Sequence, residues 1–189
     1  PEFIDPFNGL QDLAAKILRT PVRPGDSFND DPLRMMRAAR FASQLNFEIA
    51  PEVLNSMKDL AHRISIISAE RVRDEFTKIM MSANPRIGIT LLVDSGLADI
   101  VLPEIPKLRL EVDEHHHHKD VYEHSITVLE QAIEHEDRLG GPNLVIRLAA
   151  LLHDIGKPKT RAFIEGGGVS FHHHEVVGAR LATARMKAL

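Results

Sequence analysis

Two carboxylates are followed by three guanidinium groups between Asp30 and Arg40, at the start of a predicted helix. At about 100° per residue, Asp31 and Arg34 fall on one side of that helix, and Arg37 follows at helical spacing. The same predicted side also carries Met35, Ala38, Phe41 and Leu45. A charge among apolar side chains needs a partner, in the protein or in a ligand. Carboxylate acceptors beside guanidinium donors could therefore read the hydrogen-bonding edge of a nucleobase.

A structural interpretation explains the same spacing. Asp30 or Asp31 could cap the helix N-terminus, with Pro32 in the first turn. Arg34 could then pair with either carboxylate on the helix surface. Because capping signals are common and base-reading pairs are rare, the spacing alone favours this structural interpretation.

Histidine is concentrated in the second half of the chain, where most of the eleven histidines follow residue 114. His124, the doublet His153-Asp154 and His174 belong to three successive predicted helices. Imidazole and carboxylate are suitable ligands for a divalent ion such as Mg²⁺, Mn²⁺, Fe²⁺ or Zn²⁺. His124 alone is better explained as a core residue, but clusters on three helices can converge in a bundle core. The sequence therefore predicts a divalent metal site.

The composition is that of a globular protein with room for one domain or two small ones. The 189 residues are 43% hydrophobic and 26% charged, and they include no cysteine, so disulfides, thiolate metal sites and cysteine nucleophiles are excluded. No apolar run could span a bilayer and no signal-peptide pattern is present, so we expect a cytoplasmic protein without membrane contact. The net charge of −4 argues weakly against an RNA partner, although the arginines at 34, 37 and 40 form a local basic face.

Hydrophobic periodicity and turn residues predict a mainly α fold with short connections. Helices are expected over residues 29–46, after Pro51, over 68–81 and 85–94, over about 119–138, from 143 to 154, and from His174 onward. Two strand-like segments flank a turn at Asn8-Gly9, and residues 159–169 are expected to form a loop or small hairpin.

The first constellation resembles the nucleotide-selecting motif of the tRNA nucleotidyltransferase and bacterial poly(A) polymerase family. It reads Asp30-Asp31-Pro32-Leu33-Arg34, then Met35-Met36-Arg37-Ala38-Ala39-Arg40-Phe41. The resemblance implies that Asp31 and Arg34 hydrogen-bond the base edge of an incoming CTP or ATP, and that Arg37 positions this pair or a phosphate. Asp30 belongs to the same site and stands where the family usually has Glu.

Residues 68–75 resemble the Glu-Arg-x-x-x-Glu motif of the same family. The resemblance implies that Glu70, Arg71 and Glu75 support the nucleotide-selecting helix through ion pairs, with Arg40 as a further supporting residue.

The second constellation resembles the metal-dependent phosphohydrolases that are named HD after their His-Asp doublet, here Leu151-Leu-His-Asp-Ile-Gly-Lys-Pro158. The resemblance implies a divalent metal held by His124, His153 and Asp154, with His174 lining the same site and Lys157 contacting phosphate. Such a site activates water for attack on a phosphoester. The superfamily also uses an Asp on a later helix, and no matching residue is present in this sequence, which puts hydrolysis in doubt.

The two motif sets occur in the order found in CCA-adding tRNA nucleotidyltransferases with a C-terminal HD domain. This resemblance implies the end of a catalytic head with a short β remnant (1–28), a helical neck and body for nucleotide selection and tRNA binding (29–112), and the first part of an all-α HD domain (113–189). It implies addition of C, C and A to the tRNA 3′ end from CTP and ATP. The metal of the head would be Mg²⁺.

The carboxylates that hold two Mg²⁺ ions in this family follow a Gly-Gly-x-Val-Arg-Asp segment, and neither that segment nor an Asp-x-Asp strand occurs in this sequence. We therefore expect the chain to be a piece of a longer enzyme and to be inactive alone in nucleotide addition. The alternatives are a bacterial poly(A) polymerase, an HD phosphodiesterase or phosphatase acting on nucleotides or RNA ends, and an RNA-binding module with a degenerate site.

Overall fold

The computed structural model describes residues 4–110, 120–164 and 168–189, and these residues form mostly helices with short strands. The predicted mainly α fold is confirmed. The chain divides into two compact units, the first ending at Ile100 and the second beginning at Val101. The predicted domain boundaries stay a prediction, and the four-histidine run at 115–118 lies outside the described residues. Among the described helices, none has the length and apolar character needed to cross a membrane.

The first unit is a set of short helices around one small strand pair. Its elements are α1 (Gly9–Ala15), β1 (Ile17–Leu18), α2 (Pro24–Asp30), α3 (Leu33–Leu45), β2 (Glu48–Ile49), α4 (Pro51–Leu60), a 3-10 helix (Ala61–Ile66), α5 (Ala69–Met80) and α6 (Pro85–Asp94). The short helix α7 (Leu97–Val101) ends at the boundary between the units. β1 pairs in parallel with β2, with Ile17 opposite Glu48. The expected turn at Asn8-Gly9 is instead the start of α1, because Asn8 adopts a left-handed conformation that caps the helix.

The helix predicted over residues 29–46 is wrong, because α2 and α3 are separated at Asp31-Pro32. Asp31 has extended φ and ψ angles of −140° and 102°, as expected for a residue that precedes proline. Its carboxylate accepts a hydrogen bond from the backbone N–H of Leu33 at 3.1 Å. The break therefore orients Asp31 at the N-terminal end of α3 rather than along its side.

The apolar face predicted for α3 is also partly wrong, because Phe41 and Leu45 are 40% and 48% exposed. α3 packs against both α5 and α6. Its buried side accordingly consists of Leu33, Met35, Met36, Ala39, Ala42 and Ser43. The contact with α6 is close: a Cβ at Gly88 would collide with the Ser43 hydroxyl and the Ile79 side chain. Only glycine therefore fits where α6 crosses α3.

The second unit contains the remaining helices and a small hairpin. Its elements are a 3-10 helix (Pro106–Leu108), α8 (Val121–Glu134), a second 3-10 helix (Glu136–Leu139), α9 (Leu144–Leu152), α10 (Lys157–Thr160), β3 (Ala162–Phe163), β4 (Val169–Ser170) and α11 (His174–Ala188). The side chain of Asp120 caps α8 and that of Asn143 caps α9. β3 and β4 are antiparallel, so the hairpin expected near residues 159–169 is present.

His124 does not lie on the buried side of α8, although its position alone favoured a core residue. α8 packs along α9, and its buried residues are Val121, Tyr122, Ser125, Ile126 and Leu129. The His124 side chain is 44% exposed. His124 is therefore available to a ligand instead of being a core residue.

A buried ion pair fixes the start of α9. Both nitrogens of the Arg147 fork bond the carboxylate of Glu136, at 2.7 Å and 2.6 Å, and the two residues are 3% and 4% exposed. The same carboxylate accepts the backbone N–H of Asn143 at 2.9 Å. The hydrogen bond from Arg147 lowers the pKa of Glu136. The pair therefore ties the 3-10 helix at Glu136–Leu139 to the helix that leads to His153.

Glu136→Gln should lower the free energy of unfolding by about 3 kcal/mol at pH 7, because it leaves Arg147 buried without a counter-charge. Because the folded pKa of Glu136 is depressed, its contribution is full above the unfolded pKa of about 4.3 and is lost as the pH falls through the folded value. Urea denaturation at pH 7 and at pH 3 measures both effects. Asp137→Asn, at an exposed neighbouring position, should cost less than about 0.5 kcal/mol. Equal stability of the Glu136→Gln variant and the wild-type chain at pH 7 would contradict this account.

Candidate functional site

The two residues predicted to read a base in the first unit do not pair with each other. The Asp31 carboxylate is 3.1 Å from Arg71 Nη2, on α5. Arg34 Nη2 is 2.7 Å from Oδ2 of Asp30, the last residue of α2. Asp31, the acceptor, is therefore held by Arg71. Arg34, the donor, is held by Asp30.

Ser27 is a further contact of Arg34 that the sequence did not indicate. Arg34 Nη1 donates to both the backbone oxygen and the hydroxyl of Ser27 at 3.2 Å, and Ser27 is only 6% exposed. The two residues are seven positions apart and lie on different helices, so no local pattern would have linked them. Asp30 and Ser27, both on α2, therefore bond different nitrogens of the Arg34 guanidinium.

The supporting residues have different surroundings. Glu75 is 5% exposed, accepts from Arg40 Nε at 2.6 Å and pairs with Lys78 at 3.3 Å. The Arg40 guanidinium also stacks over the Phe41 ring, 4.0 Å from its centroid. Glu70 is exposed in the first turn of α5 and forms no ion pair with any residue in the described ranges. The link between α3 and α5 therefore rests on Arg40–Glu75 and on Asp31–Arg71.

A cavity of about 460 Å³ opens beside these residues. Arg34 and Arg37 line it together with the Phe28 and Phe41 rings, and the remaining wall comes from residues 18–22, Ser27, Ala38 and Val53. Asp31 is not in the wall, since its carboxylate turns toward Arg71. Phe28 is fully buried behind this wall, so the aromatic side chain that reaches the surface is Phe41. The cavity thus combines cationic donors with apolar side chains, which suits an anionic ligand that has an apolar part.

Three helices of the second unit bring the predicted metal ligands together. His124 is on α8, His153 and Asp154 follow the last residue of α9, and His174 begins α11. α11 can approach because residue 156 is glycine: a Cβ there would overlap the His174 carbonyl oxygen. The sequence motif thus includes the small residue that admits the third helix.

Asp154 is at the centre of this cluster and is 1% exposed. Its Oδ2 is 3.0 Å from His153 Nε2 and 3.8 Å from His124 Nε2. Its Oδ1 is 3.5 Å from His174 Nε2. All four predicted metal-site residues are therefore adjacent around one carboxylate.

Backbone carbonyls orient two of the imidazoles. His153 Nδ1 is 2.8 Å from the Ala150 oxygen, and His174 Nδ1 is 2.9 Å from the Phe171 oxygen. Because a carbonyl only accepts, each Nδ1 is the donor in its contact, and each Nε2 faces Asp154. A carboxylate also only accepts, so the hydrogen bond from His153 Nε2 to Asp154 forms when the imidazole is protonated on both nitrogens. The hydrogen bond to Asp154 raises the pKa of His153. Burial of Asp154 opposes its ionisation, but the bonds from His153 and Lys157 outweigh this and lower the pKa of Asp154 to about 2.

Lys157 lies against the same carboxylate rather than pointing away from it. Its Nζ is 2.6 Å from Asp154 Oδ2, closer than any imidazole nitrogen with a measured contact to Asp154. The ammonium also lies 5.6 Å from the centre of the Phe171 ring. The predicted phosphate contact is therefore an ion-pair partner of a predicted metal ligand.

The donor set fits a divalent cation. One ligand atom each from His124, His153 and Asp154 lies within 4.8 Å of the others, and the two histidines reach the surface while the carboxylate is buried. Two imidazole nitrogens and a carboxylate oxygen suit Mn²⁺, Fe²⁺ or Zn²⁺. These residues could hold such an ion, with His174 next to it on the other carboxylate oxygen.

Two known families match consecutive parts of the chain. The family described as "Probable RNA and SrmB- binding site of polymerase A" matches residues 46–108, and the HD domain matches residues 121–189. The HD family and the nucleotidyltransferase family imply dependence on a divalent metal.

Two relatives align with nearly the whole chain. The A-adding tRNA nucleotidyltransferase of Deinococcus radiodurans is 38% identical over 186 residues, which are 95% of this chain and 42% of that protein. The Multifunctional CCA protein of Hahella chejuensis is 37% identical over 195 residues, covering 98% of this chain and 44% of that protein. The chain thus spans less than half the length of these relatives.

Two solved structures share the fold of this chain. The Bacillus stearothermophilus CCA-adding enzyme in complex with CTP matches 78% of this chain and 37% of its own, with 28% identity and a TM-score of 0.54. The protein of "Structure of tRNA-processing enzyme complex 3" shares the fold over 98% of this chain and 44% of its own, with a TM-score of 0.62 and 18% identity. With both motif sets, both family matches and these relatives in agreement, the chain belongs to the tRNA nucleotidyltransferase and poly(A) polymerase family, in the subgroup with an HD domain.

Proposed function

We propose that this chain is the nucleotide-selecting and tRNA-binding part, with the adjoining HD region, of an enzyme that adds C, C and A to tRNA 3′ ends from CTP and ATP. The observation that carries the proposal is the cavity lined by Arg34 and Arg37, whose walls combine guanidinium donors with the exposed side chain of Phe41. The Multifunctional CCA protein supports addition of the whole CCA sequence, and the A-adding tRNA nucleotidyltransferase supports addition of A. The whole enzyme would work in the cytoplasm.

Nucleotide choice in this proposal depends on donors and acceptors held before the nucleotide arrives. Arg34 is held by Asp30 and Ser27, so its remaining N–H groups keep a defined direction toward the cavity. Asp31 lies outside the cavity wall, bonded by Leu33 N–H and Arg71. Each of its carboxylate oxygens has a second lone pair, which would meet the amino group of a base that extends past the wall. Arg37 would meet a phosphate. Fixed groups lose little entropy on binding, which favours discrimination between two bases.

Arg34→Ala should weaken binding of both CTP and ATP to the 189-residue chain by about tenfold, the loss expected for hydrogen bonds from a charged donor. Asp31→Ala should change the ratio of the two affinities. Equilibrium dialysis with radiolabelled nucleotides measures both. Arg73→Ala is the matched control, since Arg73 is an exposed arginine of α5 outside the cavity wall. Unchanged nucleotide affinities in both test variants would refute the assignment.

Joining a nucleotide to RNA requires carboxylates that hold Mg²⁺ at the attacking and leaving oxygens, and the motif that supplies them does not occur in this sequence. The 189-residue chain alone should therefore give no incorporation of radiolabelled CTP into a tRNA that lacks its 3′ CCA. Incorporation above the level of a no-protein control would refute the assignment of catalysis to residues outside this chain.

A second activity, hydrolysis of phosphoesters of nucleotides or RNA ends, is favoured by the cluster around Asp154. A divalent ion held by His124, His153 and Asp154 would supply Lewis-acid polarisation of a phosphoryl oxygen. The chain's own residues would orient this site: the Ala150 and Phe171 carbonyls fix the two imidazoles. Bacterial poly(A) addition is the remaining alternative, and a preference for ATP with no CTP binding would favour it.

His153→Ala should abolish tight Mn²⁺ binding by the chain, because it removes one of three ligands that lie together. Second-sphere effects alone cost about 10- to 100-fold in affinity, so loss of a direct ligand should exceed that range. Isothermal titration calorimetry with Mn²⁺ measures the change, and His172→Ala is the matched control at an exposed histidine of the same region. Equal affinity in the His153→Ala variant and the control would rule out this metal centre.

A further inference from the structure

The cluster around Asp154 contains a positively charged side chain of the protein, the Lys157 ammonium. Lys157 Nζ is 2.6 Å from Asp154 Oδ2, the oxygen that His153 and His124 also face. Asp154 is 1% exposed, so its carboxylate depends on these neighbouring groups of the protein. Lys157 Nζ is closer to the carboxylate than any of the three imidazoles that would share a divalent ion with it.

The backbone holds Lys157 in this position. Lys157 donates its N–H to the Asp154 carbonyl oxygen at 2.9 Å, closing the turn that begins α10. Gly156, inside that turn, lies so close to α11 that a Cβ there would overlap the His174 carbonyl oxygen. The ammonium is therefore placed on the carboxylate by the same turn that brings the helices together.

We propose that Lys157 is the resident counter-ion of Asp154, and that a divalent cation must displace the Lys157 ammonium to use that carboxylate. The inference rests on the metal site proposed above. Two cations on one carboxylate oxygen repel strongly in a partly buried site, whereas without a metal the buried carboxylate needs a positive partner. Metal entry then releases an ammonium beside the site, where an anionic phosphoryl group of a substrate would arrive.

The alternative is an ordinary i, i+3 ion pair with no effect on the metal. Removal of any nearby positive charge also raises cation affinity slightly, so a charge-matched control is needed. Lys159 provides it, because it is exposed and lies two residues from Lys157, and it has no contact with the Asp154 carboxylate among the described ion pairs.

Mn²⁺ titration calorimetry on the 189-residue chain tests the proposal. Lys157→Met keeps the side-chain length and removes the charge, and it should lower the Mn²⁺ dissociation constant by about tenfold. Lys159→Met should change it less than about twofold, because its charge is solvated. Mn²⁺ affinity that is unchanged or weaker in Lys157→Met, or an equal gain in Lys159→Met, overturns the proposal.

A second measurement uses the wild-type chain, so it does not depend on the folding of a variant. Acetic anhydride labelling followed by mass spectrometry reports the free amine of each lysine. Saturating Mn²⁺ should raise labelling of Lys157 several-fold and leave Lys159 unchanged, since only Lys157 gives up an ion pair. Equal labelling of Lys157 with and without bound Mn²⁺ overturns the proposal.

The two proposals fail in different ways. If neither the wild type nor Lys157→Met binds Mn²⁺, the metal site itself is absent and the inference falls with it. If the wild type binds Mn²⁺ and His153→Ala does not, but Lys157→Met binds no more tightly than the wild type, the metal site stands and the role of Lys157 is refuted.

Discussion

A buried carboxylate must be surrounded by positive or hydrogen-bonding groups, and the second unit is built around this requirement at Asp154. Nitrogens from α8, from the turn after α9, from α10 and from α11 all face its two oxygens. Each of these contacts needs its helix at a particular distance, so one charge constrains the packing of four elements. The glycine at 156 and the Glu136–Arg147 pair serve the same arrangement by admitting α11 and fixing the start of α9.

The first unit also pairs its charged side chains, but its structural ion pair and its ligand-directed groups are different residues. Its buried charge pair, Arg40–Glu75, joins α3 to α5 inside the packing. The groups offered to a ligand are held at the half-exposed end of α3, where Asp31 and Arg34 each have a partner of their own. Burial makes the first pair structural, since removing one member leaves an uncompensated charge. The second set is partly exposed, so it remains accessible to a ligand.

In both sites, the positively charged side chains expected to meet a ligand are already paired with carboxylates of the protein. Arg34 and Lys157 are ligand-directed in the motifs, yet each already bonds a carboxylate of the protein. Such bonds keep a charged side chain oriented and compensate it electrostatically in the absence of ligand. They also set a cost for binding, because a ligand must share or replace the existing partner. In the proposed sites, Arg34 would keep its partners and offer its remaining N–H groups, whereas Lys157 would give up its carboxylate to a metal.

The sequence by itself determined the helical class, most helix positions, and the residue types of both sites, because period, capping and motif spacing act over a few residues. It predicted α6 at its observed bounds and α5 to within one residue at each end. The turn at Asp31-Pro32, the exposure of Phe41 and His124, and the contact of Ser27 with Arg34 required the tertiary structure. The reason is that the burial of a side chain and its choice of partner depend on which helices pack together. Such packing brings together residues that are far apart in the chain.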